Sequence, residues 1–122
     1  MAKILMVDDS AYARRVHRSM LERAGHVVVE ASTGAGAIET FSGESPNLVL
    51  LDLSMEDIGG IEVLRTIREL DGAARVIVLS ADVQRSTEEA VLGAGGERFL
   101  AKPVDERSLM SAISAIVGTG QT

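Results

Sequence analysis

Five short apolar runs, separated by segments with helix signals, are the feature that most constrains how this chain folds. The runs cover residues 3–7, 27–31, 48–51, 76–79 and 98–101. They are continuous rather than alternating, which is typical of strands in a parallel sheet that is covered on both faces. Strands that alternate with helices in this way predict an α/β architecture.

The segments between and after the runs are predicted to be helices. They cover residues 11–24, 33 to about 41, 61–70, 86–92 and 109–117. The first helix ends at Gly25, and its apolar positions are Tyr12, Val16, Met20 and Leu21. Ser32 or Thr33 is the candidate N-cap of the second helix. A loop is predicted over residues 42–47 and a frayed tail over residues 118–122.

Element count and length together predict the topology. With right-handed crossovers, five strands and five helices in 122 residues favour a flavodoxin-like (βα)5 fold, a doubly wound parallel sheet in the order 2-1-3-4-5. The length fits one domain over residues 1–122. Only 2% of the residues are aromatic, so we expect a core of Val, Leu, Ile, Ala and Met.

Charge and composition exclude several function classes. A net charge of −6 disfavours direct nucleic-acid binding, because phosphate backbones are held by basic patches. The sequence contains no cysteine, which excludes disulfides and thiolate metal sites. No stretch predicts membrane insertion, and the N-terminus lacks a signal-peptide pattern. These features favour a cytoplasmic location.

Polar residues stand where four of the predicted strands end. The first strand ends at Asp8 and Asp9, the third at Asp52, the fourth at Ser80 and the fifth at Lys102. In the order 2-1-3-4-5 the first and third strands are neighbours, so we expect the three carboxylates to converge. Converging carboxylates need a cation, and oxygen ligation with room for water suits Mg²⁺.

The same residue types can perform aspartyl-phosphate chemistry. One carboxylate can act as a nucleophile toward a phosphoryl group, while the metal shields the incoming charge. A lysine ammonium and a serine hydroxyl can hold the phosphoryl oxygens. Asp52, Lys102 and Ser80 supply these groups.

An ordered set of motifs resembles the receiver domains of bacterial response regulators, including the chemotaxis-type single-domain members. The motifs are MVDDS at residues 6–10, LVLLDLSM at 48–55, GGIEVLR at 59–65, VIVLSAD at 76–82 and FLAKP at 99–103. The resemblance implies a phosphoryl acceptor at Asp52. It implies metal ligation by Asp9 directly, by Asp8 through water, by Asp52 and by the backbone carbonyl of Ser54.

The resemblance also implies a switch. Lys102 aligns with the phosphate-binding lysine, Ser80 with the switch hydroxyl and Phe99 with the switch aromatic, where Tyr is more familiar. The Lys102-Pro103 bond is usually cis in this family. Glu56 stands where many members have Pro and Gly59 where many have Asp, so the loop after Asp52 is expected to be more mobile.

Each of these residues also has an ordinary structural interpretation. Asp8 and Asp9 could be helix caps, Asp52 a turn residue and Lys102 a solvated lysine. Ser80 could satisfy a backbone group, and Phe99 could belong to the core. His17 and His26 are interpreted as surface or partly buried, and the arginines of the first helix as a solvated face or a partner contact.

The expected partners are a sensor histidine kinase and a downstream protein target, such as a motor or a phosphotransfer protein. The chain is expected to catalyse only its own phosphorylation and dephosphorylation, not to act as an enzyme. Two alternatives are a Mg²⁺-dependent aspartyl-phosphate phosphohydrolase and a receiver fragment of a larger DNA-binding regulator. A flavin-binding module of the same fold is disfavoured by one Tyr, two Phe and no Trp.

Overall fold

Five parallel strands form one sheet in the order β2-β1-β3-β4-β5. The structure, a computed structural model, describes residues 2–55 and 57–117. The strands are β1 Lys3–Val7, β2 Val27–Ala31, β3 Leu48–Asp52, β4 Val76–Ser80 and β5 Arg98–Ala101. The predicted flavodoxin-like architecture and strand order are therefore confirmed.

A helix follows each strand. The helices are α1 Ala11–Arg23, α2 Gly34–Glu44, α3 Gly60–Leu70, α4 Arg85–Gly93 and α5 Glu106–Val117. The prediction that a loop begins at Ser42 was wrong, since α2 continues to Glu44. It ends there because Ser45 adopts a left-handed conformation with φ 48°, and its N–H binds the carbonyl of Phe41 at 3.1 Å. The predicted tail over residues 118–122 lies outside the described residues.

Two apolar layers cover the sheet, and successive strand residues alternate between them. Along β1, Leu5 and Val7 join the layer that packs against α2 and α3, whereas Ile4 and Met6 join the layer that packs against α1 and α5. All five residues of β3 and of β4 are buried. This double coverage explains why the strands are apolar on both faces.

The buried face of α1 agrees with the predicted one at Leu21 and Met20 and differs from it at Tyr12 and His17. Tyr12 was expected on the apolar face but is 73% exposed, and the buried residues of the helix are His17 and Leu21. The interpretation of His17 as surface or partly buried was therefore wrong, because His17 shares a helix face with the buried Leu21. The periodicity of apolar residues favoured Tyr12 on the buried face, whereas the folded chain buries the imidazole of His17.

Within the described residues, no helix is both long enough and apolar enough to span a bilayer.

The core can be tested on α3, which carries one fully buried and one exposed aliphatic residue. Ile67 has 0% exposure and Leu70 has 53%. We expect Ile67→Ala to lower the free energy of unfolding by about 2–5 kcal/mol, because it leaves a cavity. Leu70→Ala, the matched control, should change it by about 0.5 kcal/mol or less. Urea unfolding measures both, and equal losses would contradict the described packing.

Candidate functional site

Three carboxylates meet at the carboxyl ends of β1 and β3. The register pairs Val7 with Leu51, so Asp8 and Asp52 follow at the same edge of the sheet. One oxygen from each of Asp8, Asp9 and Asp52 lies within 4.8 Å of the others. Asp8 and Asp52 are each only 2% exposed, whereas Asp9 faces solvent. The topology thus brings together the acids that the strand order predicted.

Lys102 faces two of these acids from the end of β5. Its Nζ lies 3.2 Å from Oδ2 of Asp52 and 3.4 Å from Oδ2 of Asp8. Burial alone would lower the pKa of Lys102, but the Asp52 and Asp8 carboxylates outweigh it and raise that pKa. The ammonium therefore stays charged and offsets part of the carboxylate repulsion. The Lys102-Pro103 peptide bond is cis.

Ser80 stands at the end of β4, next to the end of β3, because the register pairs Asp52 with Leu79. It is 3% exposed, and its Oγ accepts the N–H of Asp82 at 3.0 Å. Phe99 on β5 pairs with Val78, so it lies on the same face of the sheet as Ser80. Phe99 is half-buried and packs against the core layer beneath α3 and α4.

The loop after Asp52 turns back toward the carboxylate of Asp52. The N–H of Ser54 donates to Oδ1 of Asp52 at 3.1 Å. Gly59 caps α3 without a side-chain hydrogen bond, as expected for a residue that lacks a carboxylate. Glu56, for which a more mobile loop is predicted, lies outside the described residues.

The cap of α1 is neither Asp8 nor Asp9. Ser10 is the N-cap, and its Oγ accepts the N–H of Ala13 at 3.1 Å. Asp8 instead accepts the N–H of Ser10 through Oδ1 at 2.9 Å, which leaves Oδ2 directed toward Lys102. The structure therefore contradicts the ordinary interpretation of Asp8 and Asp9 as helix caps.

Sequence reasoning missed a support beneath Asp8. The guanidinium of Arg14 donates to the backbone carbonyl of Asp8 at 2.6 Å and to Glu30 at 2.8 Å. Hydrogen bonds from Arg18 and Arg14 hold the pKa of Glu30 below its ordinary value. Arg14 is thus not part of a solvated face. The sequence feature that could have indicated this contact is Glu30, a single acid within an apolar strand (VVVEA).

His17 lies beside the site on α1. With Tyr12, Val16 and Lys102 it lines an open hollow of about 220 Å³. Within the described part of the chain, its Nδ1 is buried without a hydrogen-bond partner. Burial lowers the pKa of His17, and Lys102 lowers it further, against the opposing effect of Asp8 and Asp52. The imidazole is therefore neutral at neutral pH.

Comparison with known proteins identifies the family. The sequence model of the response regulator receiver domain matches residues 4–114. The chain belongs to this family.

Relatives and solved structures agree with the family assignment. This receiver domain is 37% identical to the chemotaxis protein CheY of Bacillus subtilis. The alignment spans 113 residues and covers 92% of this chain and 94% of the relative. The CheY of the CheX–CheY–BeF3–Mg²⁺ complex from Borrelia burgdorferi superposes with a TM-score of 0.90 at 26% identity, over 93% of this chain and 88% of that one. Response regulator TrrA from Thermotoga maritima, in complex with Mg²⁺–BeF, has a TM-score of 0.88 at 26% identity, over 96% and 100%. The chain is thus a receiver domain of two-component signal transduction.

Replacing His17 with Leu should change how stability depends on pH. Because the pKa of His17 in the folded chain is below 6.5, the unfolded chain binds more protons as the pH falls below that value. Protonation therefore favours unfolding, and the wild-type free energy of unfolding declines from about pH 7 to about pH 5. We expect a smaller decline in His17→Leu, measured by urea unfolding in EDTA.

The wild type provides the control for the other histidine. Burial and the N-terminal charge also lower the pKa of His26, but His26 is present in both proteins. The difference between the two pH profiles therefore isolates His17. Parallel profiles would show that His17 is not held in its neutral form by burial.

Proposed function

We propose that this receiver domain accepts a phosphoryl group on Asp52 from the phosphohistidine of a sensor histidine kinase, with Mg²⁺ as its cofactor. The observation that carries the proposal is the approach of three carboxylates within 4.8 Å, two of them facing the Lys102 ammonium. Acids this close are stable only with positive charge beside them.

The donor set fits Mg²⁺. Oxygens from Asp8, Asp9 and Asp52 are hard ligands, and the exposure of Asp9 leaves room for the waters that Mg²⁺ retains. The backbone carbonyl of Ser54 is proposed as a further ligand. When bound, Mg²⁺ supplies charge neutralisation for the carboxylates and for the incoming phosphoryl oxygens. Two similar proteins of this family were solved with Mg²⁺ and beryllium fluoride.

Asp52 is proposed as the nucleophile. As one of its carboxylate oxygens bonds to phosphorus, the P–N bond to the kinase histidine breaks, and the imidazole keeps the electron pair. Lys102, already 3.2 Å from Asp52, offsets the added negative charge. The buried hydroxyl of Ser80 donates to a phosphoryl oxygen.

Ser80 and Phe99 are proposed to pass the change to the surface. If Ser80 moves toward the phosphoryl group, Phe99, half-buried on the same face of the sheet, can move into the space it leaves. The face formed by α4, β5 and α5 then changes its affinity for a downstream protein. Val83 and Leu92, 60% and 48% exposed, provide apolar contacts near this face. Phosphorylation acts as a population shift between two states.

We infer a signalling role for the receiver domain over residues 1–122 rather than turnover of an external substrate. The phosphohydrolase alternative usually requires a second acid two residues after the nucleophile, where this chain has Ser54. Relatives named as chemotaxis proteins support a chemotaxis-type output. A motor or a phosphotransfer protein is the proposed target, and the cytoplasm is the proposed location. A role within a larger DNA-binding regulator is the second possibility for the output.

The acceptor is tested by Asp52→Asn. We expect phosphoryl uptake from acetyl phosphate and Mg²⁺ to fall to background, because the amide is a poor nucleophile. The matched control is Asp71→Asn, the same chemical change at the exposed end of α3, on the opposite edge of the sheet. Intact-protein mass spectrometry counts the added phosphoryl group. Uptake at the wild-type level in Asp52→Asn would refute the assignment.

A further inference from the structure

The loop between β3 and α3 is tied to a neighbouring helix by one side chain. Oδ1 of Asp57 accepts the N–H of Gly34 at 2.8 Å, and Oδ2 accepts the N–H of Ala35 at 3.1 Å. Both donors belong to the first turn of α2. Among the described residues 53–55 and 57–59, Asp57 is the only one whose side chain hydrogen-bonds to another element.

The carboxylate of Asp57 supplies acceptors to the first turn of α2. The first N–H groups of a helix have no partner within it, and α2 has no acidic residue in its first turn. Thr33 satisfies the N–H of Gly36 at 2.9 Å, and Asp57 satisfies the two amides before it. Hydrogen bonds from Gly34, Ala35 and Ile58 lower the pKa of Asp57, so the carboxylate is charged at neutral pH.

The packing around Gly34 shows that the contact is close. A Cβ on this buried glycine would lie 2.9 Å from Cβ of Ile58 and 3.0 Å from Cγ2 of Val63. Only a residue without a side chain lets the helix terminus approach the loop so closely. The hydrogen bonds of Asp57 and the contact of Ile58 therefore join the same two segments.

The loop that Asp57 ties to α2 is the one that follows Asp52, the proposed phosphoryl acceptor. It begins after Asp52 and contains Ser54, whose carbonyl is a proposed metal ligand. Asp57 also borders an open hollow of about 270 Å³ together with Asp9, another proposed ligand. Asp57 thus lies close to Ser54 along the chain and shares a hollow with Asp9.

We infer that Asp57 is a positioning residue for the metal site: its carboxylate holds the β3–α3 loop against the N-terminus of α2 and so fixes the Ser54 carbonyl. This inference rests on the proposed function, because it concerns the affinity for Mg²⁺. Partners that orient metal ligands typically contribute about 10–100-fold to metal affinity.

The experiment compares Asp57→Ala and Asp57→Asn with wild type. Mg²⁺ titrations followed by NMR give the dissociation constant, and hydrogen exchange reports on the amides of Gly34 and Ala35. We expect Asp57→Ala to weaken Mg²⁺ binding about tenfold and to speed exchange at both amides. The Mg²⁺ affinity and the exchange rates of Asp57→Asn should lie between those of the wild type and Asp57→Ala, because the amide oxygen of Asn accepts one N–H. Asp57→Asn also serves as the test if Asp57→Ala does not fold.

Two controls separate positioning from simple loss of charge. Asp105→Ala removes an equally exposed acid whose carboxylate accepts the N–H of Ser108 near the start of α5. The titrations are repeated at 1 M KCl, where the screening length is about 3 Å. A charge effect between exposed groups shrinks there, whereas a positioning effect persists.

The outcomes distinguish this inference from the proposed function. If wild type binds no Mg²⁺, the proposed function fails and the inference fails with it. If wild type binds Mg²⁺ but Asp57→Ala matches Asp105→Ala at high salt, only the positioning role is overturned. Unchanged exchange at Gly34 and Ala35 would likewise overturn it. A loss of Mg²⁺ affinity that persists at high salt, and is smaller in Asp57→Asn than in Asp57→Ala, supports the positioning role.

Discussion

Electrostatic repulsion among three neighbouring carboxylates is the constraint on which the rest of this structure depends. Asp8 and Asp52 are buried, and a buried charge is costly unless it is paired. Lys102 pairs with both, but one ammonium leaves net negative charge once Asp9 is included. Under the proposed function, a divalent cation offsets that surplus, and Lys102 offsets the further negative charge of a phosphoryl group.

The fold supports these acids from several elements rather than from one loop. Arg14 holds the carbonyl of Asp8 and links it to Glu30 on β2. Ser54 donates to Asp52, and Asp57 ties the same loop to α2. Each support ends on a backbone group or on a paired charge. These hydrogen bonds connect the site to β2 and to α2.

Much of this arrangement could be predicted from the sequence, because continuous apolar runs define strands and strand order decides which strand ends meet. The convergence of Asp8, Asp9 and Asp52 follows from topology alone. Contacts that depend on helix rotation could not be predicted, such as the burial of His17 in place of Tyr12. The end of α2 depends on the left-handed Ser45, for which no glycine gave a signal. Arg14 and Asp57 act across long sequence separations, which local patterns do not encode.

Calorimetric titration with Mg²⁺ measures whether the clustered acids bind a cation, the step on which the proposed function rests. Asp9 suits the comparison because it is exposed, so Asp9→Asn removes one donor and one charge without disturbing the core. We expect millimolar or tighter Mg²⁺ binding to the wild type and clearly weaker binding to Asp9→Asn. No Mg²⁺ uptake by the wild type, or equal affinity in the two proteins, would contradict it.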